Sequence, residues 1–120
     1  MKFTKLVPQI FYKDINVGLR TFVECLEFVV GHNELEAATP FCVIKKDHLS
    51  IYLFQDTVYS EIEHSEYRLE TDDIETVYKK VAEKFPELLH PNLSEVTLRP
   101  WGAKEFAMLD GQIGIRIQQW

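Results

Sequence analysis

The chain has 120 residues, 46% apolar and 27% charged, with a formal net charge of −6. Its length allows one ordinary domain and leaves no room for two independent cores, and 12% aromatic residues exclude a disordered chain. The acidic balance excludes the basic face that nucleic acid or an anionic membrane surface would require, and no run reaches the ~18 apolar residues of a membrane span.

Lys5 to Tyr12 reads as a first strand. Asp14 is a natural N-cap for the helix that follows, because its carboxylate can accept from a free backbone N–H. Ile15, Leu19, Phe22, Val23, Leu26 and Val30 recur at helical spacing, and Gly31 is the expected stop. A weakly marked strand is expected around residues 34–38. Strands then follow at Phe41–Lys45 and Leu49–Phe54, with Lys46-Asp47-His48 as the hairpin turn. Residues 56–63 read as a polar crossing linker.

The second half repeats this order. Glu66–Glu70 is a strand. Asp72-Asp73 opens a helix with Ile74, Val77, Val81 and Phe85 on one face, and Pro86 closes it. Leu88–Asn92 reads as a loop. Strands are expected at Glu95–Leu98, Glu105–Leu109 and Ile113–Gln118, the last two joined by an Asp110-Gly111 turn. Asp14-Ile15 and Asp73-Ile74 lie 59 residues apart, so the chain reads as a repeat of two modules, about 1–60 and 61–120, within a single domain.

No signal-peptide core follows Met1–Lys5, and the expected compartment is the cytoplasm. Cys25 and Cys42 fall in a helix and a strand, where buried thiols are the commoner state; the sequence leaves a bridge between them open.

Several of these segments resemble one family. Val7-Pro8-Gln9-Ile10-Phe11-Tyr12-Lys13-Asp14-Ile15 is similar to its proline-containing first strand and Asp-Ile helix start. Residues 41–54 resemble its central hairpin. Arg99-Pro100-Trp101-Gly102-Ala103-Lys104-Glu105-Phe106-Ala107 resembles its Pro-Trp-Gly-x-x-Glu-Phe segment, and Asp110-Gly111-Gln112 a shortened form of its last turn. The family is the vicinal oxygen chelate superfamily of glyoxalase I, extradiol dioxygenases and bleomycin resistance proteins, and the likeness is nearest to the bleomycin-resistance branch. It covers nearly the whole chain. Two departures stand out: Glu27 occupies the place of the glycine in a Leu-Gly-Phe-like triplet, and the last turn lacks its proline.

The resemblance implies an α+β fold of two βαβββ modules forming a curved mixed sheet, with helices on the convex side and a ligand cavity on the concave side. It also implies four cavity-facing positions that hold metal ligands in catalytic members. Alternation along the strands puts Leu49, Ile51 and Leu53 against one helix and Ile113, Ile115 and Ile117 against the other. The four positions then hold Val7, Tyr52, Glu66 and Arg116. Only Glu66 is a good ligand for a divalent ion, and a catalytic metal normally takes three protein ligands or more. No metal, cofactor or catalytic residue is therefore expected.

The expected ligand-lining residues are Phe41, Tyr52, Phe54, Glu66, Trp101, Phe106 and Arg116. Aromatic faces suit a flat ring, and Glu66 and Arg116 must pair with each other or with charged ligand groups. For Phe41 and Phe106 ordinary core packing weighs equally. Glu61, Glu63, His64 and Glu66 read as a solvated linker before they read as a metal site, and His32, His48 and His90 as surface histidines in loops.

The reading that follows is a metal-free protein that sequesters a small aromatic compound such as an antibiotic, a cationic one being admitted by the acidic charge. A two-fold homodimer is expected with it. The alternatives are a lyase or oxidoreductase of the same fold with displaced metal ligands, and a dimer whose cavity has filled with side chains and whose role is structural or regulatory.

Overall fold

The computed structural model describes residues 1–62 and 66–120. The chain forms two compact units, Met1–Glu63 and His64–Trp120, each a four-stranded mixed sheet with a helix packed on one face.

In the first unit, β1 (Gln9–Tyr12) leads into α1 (Ile15–Leu19), followed by β2 (Val29–Glu34), β3 (Phe41–Lys46) and β4 (Leu49–Gln55). The sheet order is β1-β4-β3-β2, with β1 parallel to β4 and the other pairs antiparallel. A parallel neighbour requires a crossover, and the helical segment supplies it. Asp14 caps α1 as expected, its carboxylate accepting from the Asn16 N–H at 3.0 Å.

The helix does not run to Gly31. It widens into a π-helical turn over Arg20–Cys25, where the Leu26 N–H donates to the Thr21 carbonyl and the Phe28 N–H to the Phe22 carbonyl. Glu27 then turns the chain with φ 66°. Val30 and Gly31, expected at the helix end, are strand residues of β2, and the strand expected at 34–38 lies earlier, at Val29–Glu34. The expected linker holds a short helix, α2 (Thr57–Ser60), capped by Asp56, whose carboxylate accepts from the Tyr59 N–H at 3.0 Å. Ile10, Tyr12, Cys42, Ile44, Ile51 and Leu53 are buried on the helix side of the sheet with Ile15, Phe22 and Phe28. Leu49, expected there too, is exposed at the strand end. Cys25 and Cys42 are both buried, and no bridge joins them.

In the second unit, β5 (Tyr67–Glu70) and α3 (Ile74–Lys84) precede β6 (Thr97–Leu98), β7 (Lys104–Leu109) and β8 (Gly114–Gln119). The order β5-β8-β7-β6 repeats that of the first unit, again with the outer first strand parallel to the last. Asp73 caps α3 through Thr76, and the chain passes Pro86 in a single 3-10 turn. Asp110 sets the final hairpin by accepting from the Gln112 and Ile113 N–H groups, with Gly111 at φ 93°. Ile74, Val81, Phe106, Met108, Ile115 and Ile117 form this unit's core. No helix among the described residues is long and apolar enough to cross a membrane.

Candidate functional site

Because each helix covers only one side of its sheet, the other side carries whatever the alternate strand positions supply. In the first unit it is a row of aromatic rings. Strand register puts Phe41 opposite Phe54 across β3 and β4, and Phe11 opposite Phe54 across β1 and β4. Their rings stack: Phe41 on Phe54 at 5.5 Å and 18°, and Phe11 on Phe54 at 5.3 Å and 23°. Tyr59 of α2 continues the row on Phe11 at 4.9 Å, and Tyr52 flanks Phe54 at 6.1 Å. His32, expected in a loop, is on β2 and closes the other end against Phe41 at 5.6 Å. Phe41 and Phe54 are half-buried, while Tyr52 and Tyr59 are 36% and 53% exposed. Large rings left open to solvent on a sheet face mark a surface able to take a partner.

The same side of the second sheet is polar. Register pairs Glu105 with Gln118 and Ala107 with Arg116 across β7 and β8, and Arg68 with Arg116 across β5 and β8. Glu105 is completely buried and is held by three donors: the Trp101 indole N–H at 2.8 Å, the Gln118 amide at 3.1 Å and the Arg116 guanidinium at 3.3 Å. A carboxylate removed from water is tolerated only with such compensation. Arg116 also reaches Glu66: its Nε lies 3.0 Å from Oε1, an ion contact in which the N–H is not aligned for a hydrogen bond. Arg68 approaches the other oxygen of Glu66 at 3.8 Å.

Trp101 sits at the tip of the β6–β7 hairpin, where the Arg99 N–H donates to Ala103 and the Gly102 N–H returns to Arg99. Gly102 takes φ 100°, a conformation that side chains resist, and so gives the turn its shape. The indole ring is 47% exposed, with the Arg99 guanidinium 4.9 Å from its centroid.

Of the residues expected to line a ligand, Phe41, Tyr52 and Phe54 come together in the first unit. Glu66, Trp101 and Arg116 are linked through Glu105 in the second. Phe106 is a correction. It pairs with Ile117, shares that residue's side of the sheet, and is fully buried edge-on to Tyr78 of α3 at 5.2 Å, so it is core. Glu105 is not among the expected residues, although alternation from Ala107 puts it on the polar face and its spacing from Trp101 is short. His90, read as a surface loop residue, does lie in a loop, where it is half-buried and borders a pocket of about 210 Å³ in the second unit with Glu66, Arg116, Leu109 and Gly114. It is brought there because the His90 N–H donates to Ala107 and the Ala107 N–H to Leu93, extending the edge of β7. Glu63, His64 and Ser65 lie outside the described residues, and Glu61 is exposed.

The four positions implied to carry metal ligands do not fit a divalent ion. Val7 offers no donor, Arg116 is a permanent cation, and Glu66 already faces that cation at 3.0 Å. Among the described residues no group of three or more His, Cys, Asp or Glu side chains gathers as a metal site.

No protein-family model and no curated protein sequence matches the chain. Solved structures do. A bleomycin-binding protein complexed with bleomycin superposes with TM-score 0.75 at 17% identity, covering 98% of this chain and 99% of that one. A bleomycin resistance determinant encoded on the transposon Tn5 gives 0.70 at 18%, covering 98% of each chain. The bleomycin-binding protein of Streptomyces verticillus, complexed with copper(II)-bleomycin, gives 0.69 at 16%, covering 99% of this chain and 96% of that one. At such identities it is the architecture that is shared, and the chain is built on the two-module fold of the glyoxalase/bleomycin resistance protein/dioxygenase superfamily.

Proposed function

We propose that this protein binds and sequesters a flat aromatic small molecule, an antibiotic among the candidates, without a metal and without making or breaking a bond. The observation that carries the reading is the aromatic row of the first unit, where Phe41, Phe54 and Phe11 stack and Tyr52 and Tyr59 stay open. Stacking uses the large, rigid face of such rings and costs little side-chain entropy. The half-exposed ring of Trp101 and the polar groups of Glu66 and Arg116 are the further contacts of this reading in the second unit. Similar folds that hold bleomycin support it. The guanidinium beside Glu66 supports the metal-free part, because it already neutralises the one suitable ligand. A two-fold pair of cytoplasmic chains belongs to the same reading; light scattering that finds only monomer at micromolar concentration removes the pair.

Titration calorimetry of chelator-treated protein with bleomycin and with simpler flat aromatics tests the function. Saturable binding that Phe54→Ala weakens by roughly 1–3 kcal/mol is expected, the usual scale for one anchoring aromatic. Binding that requires added metal, or that is untouched by Phe54→Ala, overturns it.

A further inference from the structure

The pocket bordered by Glu66, His90 and Arg116 differs in chemistry from the aromatic row, and because Glu66 and Arg116 are polar contacts of the function proposed above, what its walls select rests on that reading. Its volume of about 210 Å³ lies below the ~300 Å³ at which drug-sized ligands begin to be enclosed. It therefore takes a compact head group with a small body. The apolar part of the wall comes from Ala107, Met108, Leu109 and Ile115.

The polar part offers both halves of a hydrogen-bonding pair. Glu66 is an acceptor with its side chain 42% exposed, and Arg116 is a donor with 22% exposed. His90 adds a second donor: its Nδ1 accepts the Asn92 N–H at 3.1 Å, which in the neutral ring leaves the proton on Nε2. The charges around the pocket balance, since Glu66 and Glu105 face Arg68 and Arg116. A cationic head would meet the guanidinium and the imidazole N–H, and an anionic head would meet the Glu66 carboxylate. A neutral group with an N–H and a carbonyl side by side satisfies both. We propose that this pocket is a binding site for a carboxamide-type head group, with Glu66 accepting its N–H and Arg116 and His90 donating to its carbonyl.

Gly114 supplies a clean test. It lies on the pocket wall, and a Cβ built there meets nothing within 4 Å, so a side chain can fill the pocket without straining the strand. The probes are cyclohexanecarboxamide, cyclohexanecarboxylate and cyclohexylmethylammonium. They share a similar saturated body that cannot stack as an aromatic ring, and differ in the head. Amide chemical shifts of Leu109, Gly114 and Arg116 are followed during titration. The carboxamide is expected to move them saturably, with a Kd about tenfold or more below that of either charged probe, the worth of one satisfied hydrogen bond. Gly114→Leu should keep the wild-type spectrum elsewhere and lose the carboxamide response, whereas Phe54→Ala should leave it unchanged. The last variant separates failure of this site from failure of the aromatic one. A charged probe that binds as tightly as the carboxamide, no saturable shift, or an affinity untouched by Gly114→Leu overturns the proposal.

Discussion

The indole N–H of Trp101 donates to Glu105 at 2.8 Å, and Glu105 has no exposed surface. An aromatic ring at a hairpin tip is thus tied to a buried charge at the sheet, and its hold on that charge matters as much as the face it shows to solvent. Trp101→Phe keeps an aromatic face and removes the donor. Glu105 retains Gln118 and Arg116, so the variant should fold but lose about 1–3 kcal/mol, the range for depriving a buried charged group of one partner. A double-mutant cycle with Glu105→Gln, followed by urea unfolding, checks it. Coupling below ~0.3 kcal/mol, the limit of simple additivity, would show the contact to be energetically idle.

Glu27 offers a prediction of opposite sign. It has φ 66°, the left-handed conformation that costs an ordinary residue roughly 1–2 kcal/mol and glycine almost nothing. Glu27→Gly should therefore raise stability by about 0.5–1 kcal/mol after the greater chain entropy of glycine is deducted. Thermal unfolding measures it; a lower midpoint would mean that the contacts of the Glu27 side chain outweigh the strain.

That residue also shows how far the sequence could be read. The repeat of strand, capped helix and hairpin was legible because Asp14 and Asp73 mark the helix starts and the alternating isoleucines and leucines mark the strand faces. The end of the first helix was not, because the π-helical turn shifts the apolar phase and makes Val30 look like a helix residue. Glu27, already conspicuous for replacing a glycine, was the better stop signal. Phe106 is legible by consistency: it faces Ile117, and alternation puts Ile117 on the helix side. His90 had no local signal at all, since its position depends on backbone pairing with Ala107, far along the chain.

Cys42 should be chemically silent in the native state. It is fully buried, and burial holds its thiol above the ordinary value of 9.0. Its folded form thus keeps a proton that the unfolded form releases first as pH rises. The resulting contribution to stability is complete below pH 9.0 and is lost as pH climbs through the raised folded value. Mass spectrometry after brief iodoacetamide treatment at neutral pH should find Cys42 unmodified, with labelling appearing only in denaturant. Rapid native labelling would contradict the burial that also fixes β3 against β4.

Each module fastens its helix to its last strand by the same device. The side-chain oxygen of Gln55, at the end of β4, accepts the Ile15 N–H at 3.0 Å, and that of Gln119, at the end of β8, accepts the Ile74 N–H at 2.8 Å. A helix start has backbone N–H groups without partners in the helix, and here one of them is satisfied across the fold rather than by the neighbouring cap alone. Gln119 does more: its amide also donates to the Asp72 carbonyl at 3.0 Å, so it grips the chain on both sides of the Asp73 cap. Gln119→Leu keeps much of the volume and removes both bonds, and should cost about 1–3 kcal/mol. Gln119→Glu keeps the acceptor and places a negative charge at the positive end of α3, where it is favoured, but gives up the bond to Asp72. It should fall between wild type and Gln119→Leu. Urea unfolding of the three proteins gives the order. If Gln119→Glu is only as stable as Gln119→Leu, the Asp72 contact holds the helix start and the bond to Ile74 is secondary; if all three coincide, the fastening contributes nothing and the helix is held by its Asp73 cap and by the packing of Ile74 and Val81.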